Sequence, residues 1–329
     1  MDALPLITAE EIAELVPMRD AVAALRRAFA TPADRLERLR ASVGAGDLLV
    51  MAAVDDLDAA GSVAGVKVVV VRGSDRVASG PARQAPGPAI TASGPAINGV
   101  YVLFDGDRGE PVALLDGAAL TRLRTPAVSA IATDALARRD VGSLGVFGTG
   151  PQAHGHVEAV TLVRPGIVEV LVAARPGAAA FVAALRAAGF AAREATVDEA
   201  AGADVVCTCT SSASPVLRSA AVRAGAHLNL IGSYRPERRE VDADLVRRSV
   251  VVVDDLGAAR AEAGDLVMAE HEGRWSFAQV RGDLVGICRG QVARHDDAEI
   301  TLFKSVGLAR QDLVIAALAA RRAGVLGER

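Results

Sequence analysis

Aromatic residues are scarce in this sequence: tryptophan, tyrosine and phenylalanine together make up 3% of 329 residues, whereas 51% of the residues are hydrophobic. The core must therefore be built mainly from small aliphatic side chains. Excess positive charge is also lacking, because the formal net charge is −4 and no basic stripe with interleaved aromatic residues is present. Both features argue against a nucleic-acid-binding protein.

Other absences bear on the compartment in which the protein works. No apolar run approaches the roughly 20 residues that a membrane-spanning helix needs. The first residues carry acidic side chains rather than a basic stretch followed by an apolar one, so no secretory signal is visible. The three cysteines include no Cys-x-x-Cys pair, which suits a reducing compartment. We therefore expect a soluble, cytoplasmic protein without a membrane partner.

A glycine-containing turn lies near the middle of the chain, within Leu144–His156. An apolar run there leads into Gly148-Thr149-Gly150-Pro151-Gln152-Ala153, and an alanine-rich helical pattern follows. Gly148 allows a sharp turn, Gly150 lets the backbone approach a pyrophosphate, and Ala153 allows the helix to pack closely. Pro151 suits the first helical position, where free N–H groups can bind phosphate. The motif predicts a dinucleotide site, although such turns also occur in proteins without a ligand.

The N-terminal part of the chain predicts two short helices, after Thr8 and after Pro17, followed by four strands. These strands are Leu48–Val54, Val66–Val71, Gly99–Phe104 and Val112–Leu115. Between Arg72 and Asn98 the sequence is rich in Pro, Gly, Ser and Ala, which predicts a long mobile loop. A helical pattern spans Ala118–Arg139, and Pro126 is expected to break it, with Thr125 capping a restarted helix.

Strand and helix patterns alternate from Leu144 onwards. The strands are predicted at Ile167–Ala173, Val205–Thr208, His227–Ile231 and Val250–Val253, with helices such as Gly177–Ala188 and Asp242–Arg248 between them. This alternation predicts a parallel sheet with helices on both faces, hence an α/β fold. A final amphipathic helix is predicted over Leu308–Ala323.

Six segments, taken in order, resemble the ornithine cyclodeaminase/mu-crystallin family, which includes imino-acid reductases and an alanine dehydrogenase group. They are Gly65-Val66-Lys67, Leu120–Ala127, Gly148–Ala153, Ile231–Pro236 with Glu240, Glu262–Asp265, and Thr301–Gly307. The resemblance implies a Rossmann-type parallel-sheet dinucleotide domain of residues 123–304. This domain would be inserted in an α+β substrate and dimerisation domain of residues 1–122 and 305–329, and the protein would be a homodimer.

Three cationic residues are candidates for holding a substrate carboxylate. Lys67 lies in an apolar strand, where an amine must reach the surface, pair with an anion or lose its proton. Arg124 can clamp a carboxylate with two hydrogen bonds, and Arg38 belongs to a basic cluster. By resemblance, all three bind the substrate carboxylate, and Lys67 is also a catalytic proton donor near the substrate nitrogen. The alternatives are an edge-strand lysine and solvated arginines.

The cofactor is expected to contact residues from several segments. By resemblance these include Thr125, the strand-end residues Thr208, Thr210 and Ser211, and the turn Ser305-Val306-Gly307. The residues after Ile167–Ala173 are Ala174-Arg175-Pro176, without the acid that usually binds the ribose 2′-hydroxyl of NAD. Because an arginine there accommodates a 2′-phosphate, we predict that NADP(H) is preferred over NAD(H). Alternatively, Arg175 is only an exposed loop residue.

The histidines and cysteines predict no metal site. His154 and His156 are two residues apart on a helix, so they point to different faces and are expected at the surface or near the phosphates. His227 opens a strand and is interpreted as structural. Cys207 and Cys209 alternate with threonines on a strand, and we predict that both are buried thiols.

The resemblance implies an NAD(P)H-dependent reductase of small, cyclic 2-imino acids such as pyrroline- or piperideine-2-carboxylate. An alanine-type dehydrogenase, an ornithine or lysine cyclodeaminase and a non-catalytic ligand-binding protein are the alternatives. Cyclodeaminases carry an aspartate where this sequence has Tyr234, a second candidate catalytic residue. A phenol is a poor base at neutral pH, so we predict that this protein does not cyclise ornithine. Alternatively, Tyr234 points into the core and Asp265 acts as the base.

Overall fold

Two sheets and a buried helix between them organise the molecule, which we describe from a computed structural model. The described residues are 3–43, 46–56, 61–72, 97–174 and 178–327. The predicted mobile loop (residues 73–96) and Arg175 lie outside them.

The first sheet has the strand order β1-β6-β5-β4-β3-β2 among the described residues. Its strands are antiparallel neighbours except for the parallel β1–β6 pair. The elements of this part are β1 (Leu6–Ile7), α1 (Ala9–Leu15), α2 (Met18–Phe29), β2 (Leu39–Val43), β3 (Gly46–Asp56), β4 (Ser62–Arg72), β5 (Ile97–Asp105), β6 (Glu110–Asp116) and α3 (Gly117–Leu136).

Local sequence signals account for several of these boundaries. Thr8 accepts a hydrogen bond from the Glu11 N–H, and the Glu11 carboxylate accepts one from the Thr8 N–H, so a capping box starts the helix α1 that was predicted after Thr8. The Asp116 side chain caps α3. A hairpin joins β5 and β6, and Gly109 adopts a φ of 68° in its turn.

The second sheet is parallel throughout its described strands, in the order β13-β12-β14-β11-β10-β7-β8-β9. Helices alternate with the strands, so the predicted α/β fold is confirmed. The elements are β7 (Ser143–Phe147), α4 (Pro151–Val163), β8 (Glu169–Ala173), α5 (Ala178–Ala187), β9 (Ala192–Glu194), α6 (Val197–Ala201), β10 (Val205–Thr208), β11 (His227–Leu230), α7 (Ala243–Arg248), β12 (Ser249–Val253), α8 (Leu256–Glu262), α9 (Gly264–His271), β13 (Gly282–Asp283), α10 (Leu284–Cys288), β14 (Ile300–Lys304) and α11 (Ala309–Arg322).

The predicted break at Pro126 is wrong, because α3 continues through it without interruption. Proline removes the hydrogen bond that would reach the carbonyl of Arg122. Packing nevertheless holds the helix together: a Cβ placed on Gly155 of α4 would lie 2.7 Å from Cγ of Pro126. The ring thus sits where α3 and α4 approach closely, and tertiary contact outweighs the local cost.

One hydrophobic cluster connects the two sheets. It contains Leu25 of α2, Ile131 of α3 and Ile315 of α11, together with Val252 and Phe303 of the parallel sheet. The predicted domain boundary at residues 122 and 123 falls inside α3, so the division into two domains stays a prediction. Among the described residues no helix is long and apolar enough to cross a membrane.

Candidate active site

The predicted dinucleotide turn lies between β7 and α4, at the point where the strand order of the parallel sheet reverses. Strands β8 and β9 extend to one side of β7, and β10 and β11 extend to the other. Open α/β sheets bind ligands at such a switch point. Gly148 adopts a φ of 105° here, and a Cβ on it would lie 2.6 Å from the carbonyl oxygen of Cys209. Only glycine fits this turn without strain.

The start of α4 has the features of a pyrophosphate site. Gly150 is the N-cap and makes no side-chain cap, Pro151 occupies the first turn, and Ala153 is fully buried against the sheet. Thr149 and Gly150 are exposed, and no atom of the described residues lies within 4 Å of a Cβ placed on Gly150. Free N–H groups and the positive end of the helix dipole therefore face open space that a dinucleotide phosphate fits.

Glu240 fixes the ends of β10 and β11, next to that turn. Its Oε1 accepts hydrogen bonds from N–H and Oγ1 of Thr210 at 2.8 and 2.7 Å, and its Oε2 accepts from Thr208 Oγ1 and Gly232 N–H at 2.8 Å each. The hydroxyl hydrogens of both threonines are thus committed to a buried carboxylate. Ser211 is exposed beside them. Burial raises the pKa of Glu240 despite the nearby cation of Lys304.

Asp265 holds the backbone at Glu240 in place and forms an ion pair with Lys304. Its Oδ2 lies 2.9 Å from Lys304 Nζ, and its Oδ1 accepts the N–H groups of Glu240 and Val241. Lys304 also donates to the carbonyl of Ser233 at 2.6 Å. The alternative in which Asp265 serves as a free base is therefore at odds with the geometry, since this carboxylate is buried, its Oδ1 accepts two N–H groups and its Oδ2 forms an ion pair with Lys304.

The turn Ser305–Gly307 is held by a second buried carboxylate. Oδ2 of Asp254 accepts from Ser305 Oγ and from the N–H groups of Val306 and Gly307, at 2.8–2.9 Å. The Ser305 hydroxyl is therefore engaged within the protein. The carboxylate fixes the backbone of this turn between the parallel sheet and α11.

Lys67 and Arg124 meet at a third buried carboxylate, Asp312. Lys67 Nζ donates to Asp312 Oδ2 at 2.7 Å and to Thr121 Oγ1 at 3.1 Å. Arg124 donates through Nε to Asp312 Oδ1 at 3.3 Å and through Nη1 to Gln311 Oε1 at 2.9 Å. The Lys67 and Asp312 side chains are 2% and 0% exposed, so the alternative of an edge-strand lysine at the surface is wrong.

The environment of Lys67 changes its ionisation. Burial lowers the pKa of Lys67 to about 8, Asp312 opposes this shift, and the guanidinium groups of Arg124 and Arg38 add to it. Close to neutral pH the amine is protonated and can bind an anion, yet it can also release a proton under mild conditions.

Arg38 reaches the same region from the segment before β2. Its Nη1 donates to Glu262 at 2.7 Å, and its Nη2 donates to the carbonyls of Val306 and Gly307. Nε is buried and has no partner in the described structure. The solvated basic face considered from the sequence is therefore wrong for Arg38, and Nε is the donor it has free.

Gly307 brings Arg38 and Arg124 together. It adopts a φ of 83°, and a Cβ on it would lie 2.5 Å from Nη1 of Arg124. The guanidinium of Arg124 thus lies close against the backbone that also accepts from Arg38. Two predicted substrate-binding residues, Arg38 and Arg124, therefore meet at one turn of the predicted cofactor site, and Arg124 shares Asp312 with the third, Lys67.

Other predicted residues occupy different surroundings. Thr125 is buried within α3, one residue after Arg124. Gln152 donates through Nε2 to the carbonyl of Thr121 at 3.0 Å, so it links the dinucleotide turn to the residue that contacts Lys67. Tyr234 is half-buried, and the guanidinium of Arg235 lies 5.9 Å from the centre of its ring.

The expected placement of His156 at the surface is wrong, because its side chain is fully buried. Its Nε2 lies 2.9 Å from Ser129 Oγ and its Nδ1 lies 2.7 Å from the carbonyl of Gln152. Complete burial lowers the pKa of His156 to about 4, so the ring is neutral and joins α4 to α3. Cys207 is buried as predicted, whereas Cys209 is partly exposed. Desolvation raises the pKa of both thiols.

Asp312 and Asp254 are the site residues that the sequence patterns missed. A signal for Asp312 does exist, because it lies three and four residues before Ile315 and Ala316 on the apolar side of α11. An aspartate on such a side is rarely buried unless it is paired. Asp254 directly follows the apolar strand β12, where an aspartate is common at the start of a loop. Its sequence position therefore does not indicate that it is buried.

Comparison with known proteins places this architecture in a family. Residues 6–324 match the model described as the ornithine cyclodeaminase/mu-crystallin family. The chain belongs to that family. The resemblance expected from the six segments is thereby confirmed.

Relatives in the ornithine cyclodeaminase/mu-crystallin family include reductases and a dehydrogenase. A Δ1-pyrroline-2-carboxylate reductase of Bacillus cereus is 38% identical over 226 residues, which are 67% of this chain and 69% of the relative. The Thermococcus litoralis Δ1-pyrroline-2-carboxylate reductase, solved with NADH and L-proline, superimposes with a TM-score of 0.87 at 30% identity over 97% of each chain. An archaeal alanine dehydrogenase dimer with bound NAD superimposes with a TM-score of 0.85 at 29% identity, over 97% of this chain and 96% of the dehydrogenase chain.

Proposed function

We propose that this protein is an NAD(P)H-dependent reductase of small, cyclic 2-imino acids such as pyrroline- and piperideine-2-carboxylate. The observation that carries the proposal is the convergence of Lys67 and Arg124 on Asp312, beside the turn Ser305–Gly307. This arrangement suits a substrate with one carboxylate. The names of the relatives favour a C=N bond as the group that is reduced.

The protein residues bind and orient the substrate. Arg124 and Lys67 hold its carboxylate, and Nε of Arg38 is a third donor at the edge of the site. Because these groups are buried, their hydrogen bonds to a carboxylate are stronger than they would be in water. The reduced dinucleotide, when bound, supplies a hydride to the imine carbon. Lys67 holds a proton beside the substrate nitrogen, which becomes an amine.

A substrate panel tests the proposal. Oxidation of NADPH or NADH is measured with cyclic 2-imino acids, with pyruvate plus ammonia, and with pyruvate alone. We expect turnover with the cyclic imino acids. Turnover only with pyruvate plus ammonia would instead indicate an alanine-type dehydrogenase, and no turnover with any compound, despite binding of them, would indicate a ligand-binding protein.

The same protein is expected not to convert L-ornithine or L-lysine to a cyclic amino acid. That reaction needs a base beside the distal amine, and a phenol such as that of Tyr234 is a poor one at neutral pH. Incubation with either amino acid and catalytic NAD(P)⁺ is expected to release no ammonia above a Tyr234→Phe control. Stoichiometric ammonia together with proline or pipecolate would contradict this prediction.

We further propose that NADP(H) is the preferred cofactor. The exposed residue after β8 is Ala174, so an acid that would bind the ribose 2′-hydroxyl is missing there. Arg175, which follows, supplies the charge for a 2′-phosphate. We expect kcat/KM to be at least about tenfold higher with NADPH, and Arg175→Ala to remove most of this difference. Arg218→Ala, at an exposed site elsewhere, is the control, and equal efficiency with both cofactors would refute the preference.

The outer face of the first sheet supports a proposed homodimer. Val66, Val68, Val102 and Leu114 lie on that face and are partly exposed, while Lys67 and Tyr101 point to the opposite, buried face. An antiparallel sheet with one solvated face normally alternates apolar and polar residues. Here both faces are apolar, which favours a second copy of the chain as cover. The related archaeal alanine dehydrogenase is described as a dimer.

A further inference from the structure

Lysine is almost absent from this chain, which contains 34 arginines but only two lysines, Lys67 and Lys304. Both amines are fully buried, and each is paired with an aspartate, Lys67 with Asp312 and Lys304 with Asp265. A guanidinium stays charged in proteins, whereas a buried ammonium can release its proton. Of the two amines, that of Lys67 lies at the candidate substrate site, where Asp312 is its ion-pair partner.

We propose that Asp312 is a positioning residue that holds Lys67 and Arg124 as one pair and turns the remaining N–H groups of both towards the substrate carboxylate. Its two oxygens are divided between the cations, Oδ2 for Lys67 and Oδ1 for Arg124. Asp312 has no exposed surface, so it acts through these neighbours and does not contact the substrate. The inference takes from the proposed function only that a carboxylate binds at this pair.

The unused hydrogen-bonding groups around Asp312 are donors. The Lys67 ammonium has three N–H groups, of which Thr121 and Asp312 accept two. Among the described residues, Nε2 of Gln311, Nε of Arg38 and the hydroxyl of Tyr101, which can also donate, are buried without a partner. Such donors need acceptors when they are buried, and a carboxylate provides acceptors only. A bound carboxylate would therefore complete the cluster.

Asp312 also decides whether Lys67 is charged. The groups that influence Lys67 are Asp312 on α11, Arg124 on α3 and Arg38 before β2, and Tyr101 lies opposite it on β5. Of these charged neighbours among the described residues, Arg124 and Arg38 are cations, and Asp312 is the one that favours the protonated amine. Its removal would leave Lys67 facing positive charge in a buried site. The amine would then release its proton at a pH lower by roughly 1–3 units.

Lysine labelled with ¹³C and ¹⁵N tests this directly, because the chain gives only two lysine signals. In the intact protein the Cε signal of Lys67 is expected to titrate near pH 8. Asp312→Asn is expected to lower that midpoint by roughly 1–3 units, and Asp312→Glu is expected to restore most of it. Asp55→Asn is the matched control, since Asp55 pairs with Arg310 of the same helix α11. This control should leave the Lys67 midpoint unmoved, and the Lys304 signal serves as an internal reference.

Pyrrole-2-carboxylate provides a second measurement that needs no turnover, because it has the planar ring and carboxylate but no basic nitrogen. Saturation of the wild-type protein with it is expected to raise the Lys67 midpoint, and Asp312→Asn is expected to weaken its binding at about pH 7.5 by at least roughly tenfold. An unchanged midpoint on binding would overturn the inference even if the Asn variant does not fold. Equal midpoints in the wild-type and Asn proteins would also overturn it. Failure to reduce cyclic imino acids would refute the proposed function alone.

Discussion

Replacement of Lys67 or Arg124 by alanine is expected to lower kcat/KM for a cyclic 2-imino acid by roughly 10- to 100-fold, with the protein still folded. Under the proposed function, each change removes a charged hydrogen bond to the substrate carboxylate, an interaction worth about 1.5–3 kcal/mol. The fold should survive because Asp312 keeps the other cation as its partner in either variant. Steady-state kinetics and thermal unfolding measure the two parts of this expectation.

The double variant of Lys67 and Arg124 is expected to behave differently. It leaves the carboxylate of Asp312 fully buried without either of these cations beside it. Breaking a buried pair in this way costs about 3–5 kcal/mol of the free energy of unfolding. Arg26→Ala is a suitable control for the stability measurement, because it removes a half-exposed partner of Asp134 away from the site.

Unchanged KM and kcat in both single variants would show that Lys67 and Arg124 do not belong to the substrate site.

Replacement of Val102 by lysine is expected to convert the proposed homodimer into a monomer. Val102 pairs with Val66 across β4 and β5, in the middle of the apolar outer face. A charge placed there must lose its hydration when the face is covered, which costs several kcal/mol without a partner. Sedimentation velocity measures the mass. The folded core should stay intact, because the opposite face of the sheet, which carries Lys67, is unchanged.

The control for this change is Val168→Lys. Val168 is 74% exposed next to β8, outside the first sheet. We expect that variant to retain the mass of the unmodified protein. A wild-type monomer, or a Val102→Lys variant with the mass of a dimer, would contradict the assignment of the outer face as the contact between copies.

Local patterns were sufficient to predict most of the elements. The strand at Val205–Thr208 begins and ends as predicted, and the helix over Leu308–Ala323 is one residue shorter at each end. Both segments are bounded by residues that end regular structure, and the periodicity within them is strong. The predicted helix break at Pro126 failed, because a contact with Gly155 in another helix outweighs the local preference of proline.

The site could be predicted only in part, for a similar reason. The sequence shows that Lys67 must find an anion, reach the surface or lose its proton, but not which of these it does. Its partner Asp312 lies 245 residues further along the chain, and no local pattern records such a pair. The same holds for Glu240, whose four hydrogen bonds from three residues become visible only when β10 and β11 lie side by side.

The long helix α3 also limits how this protein can be rearranged. It carries Thr121 and Arg124 near its start and Thr133 near its end, where Thr133 accepts from Asn229 of the parallel sheet. A chimera that exchanges residues 123–304 with those of a relative would join two foreign halves inside this buried helix. The proposed cofactor preference should therefore be transferred by exchanging the residues between β8 and α5, and not by exchanging whole domains.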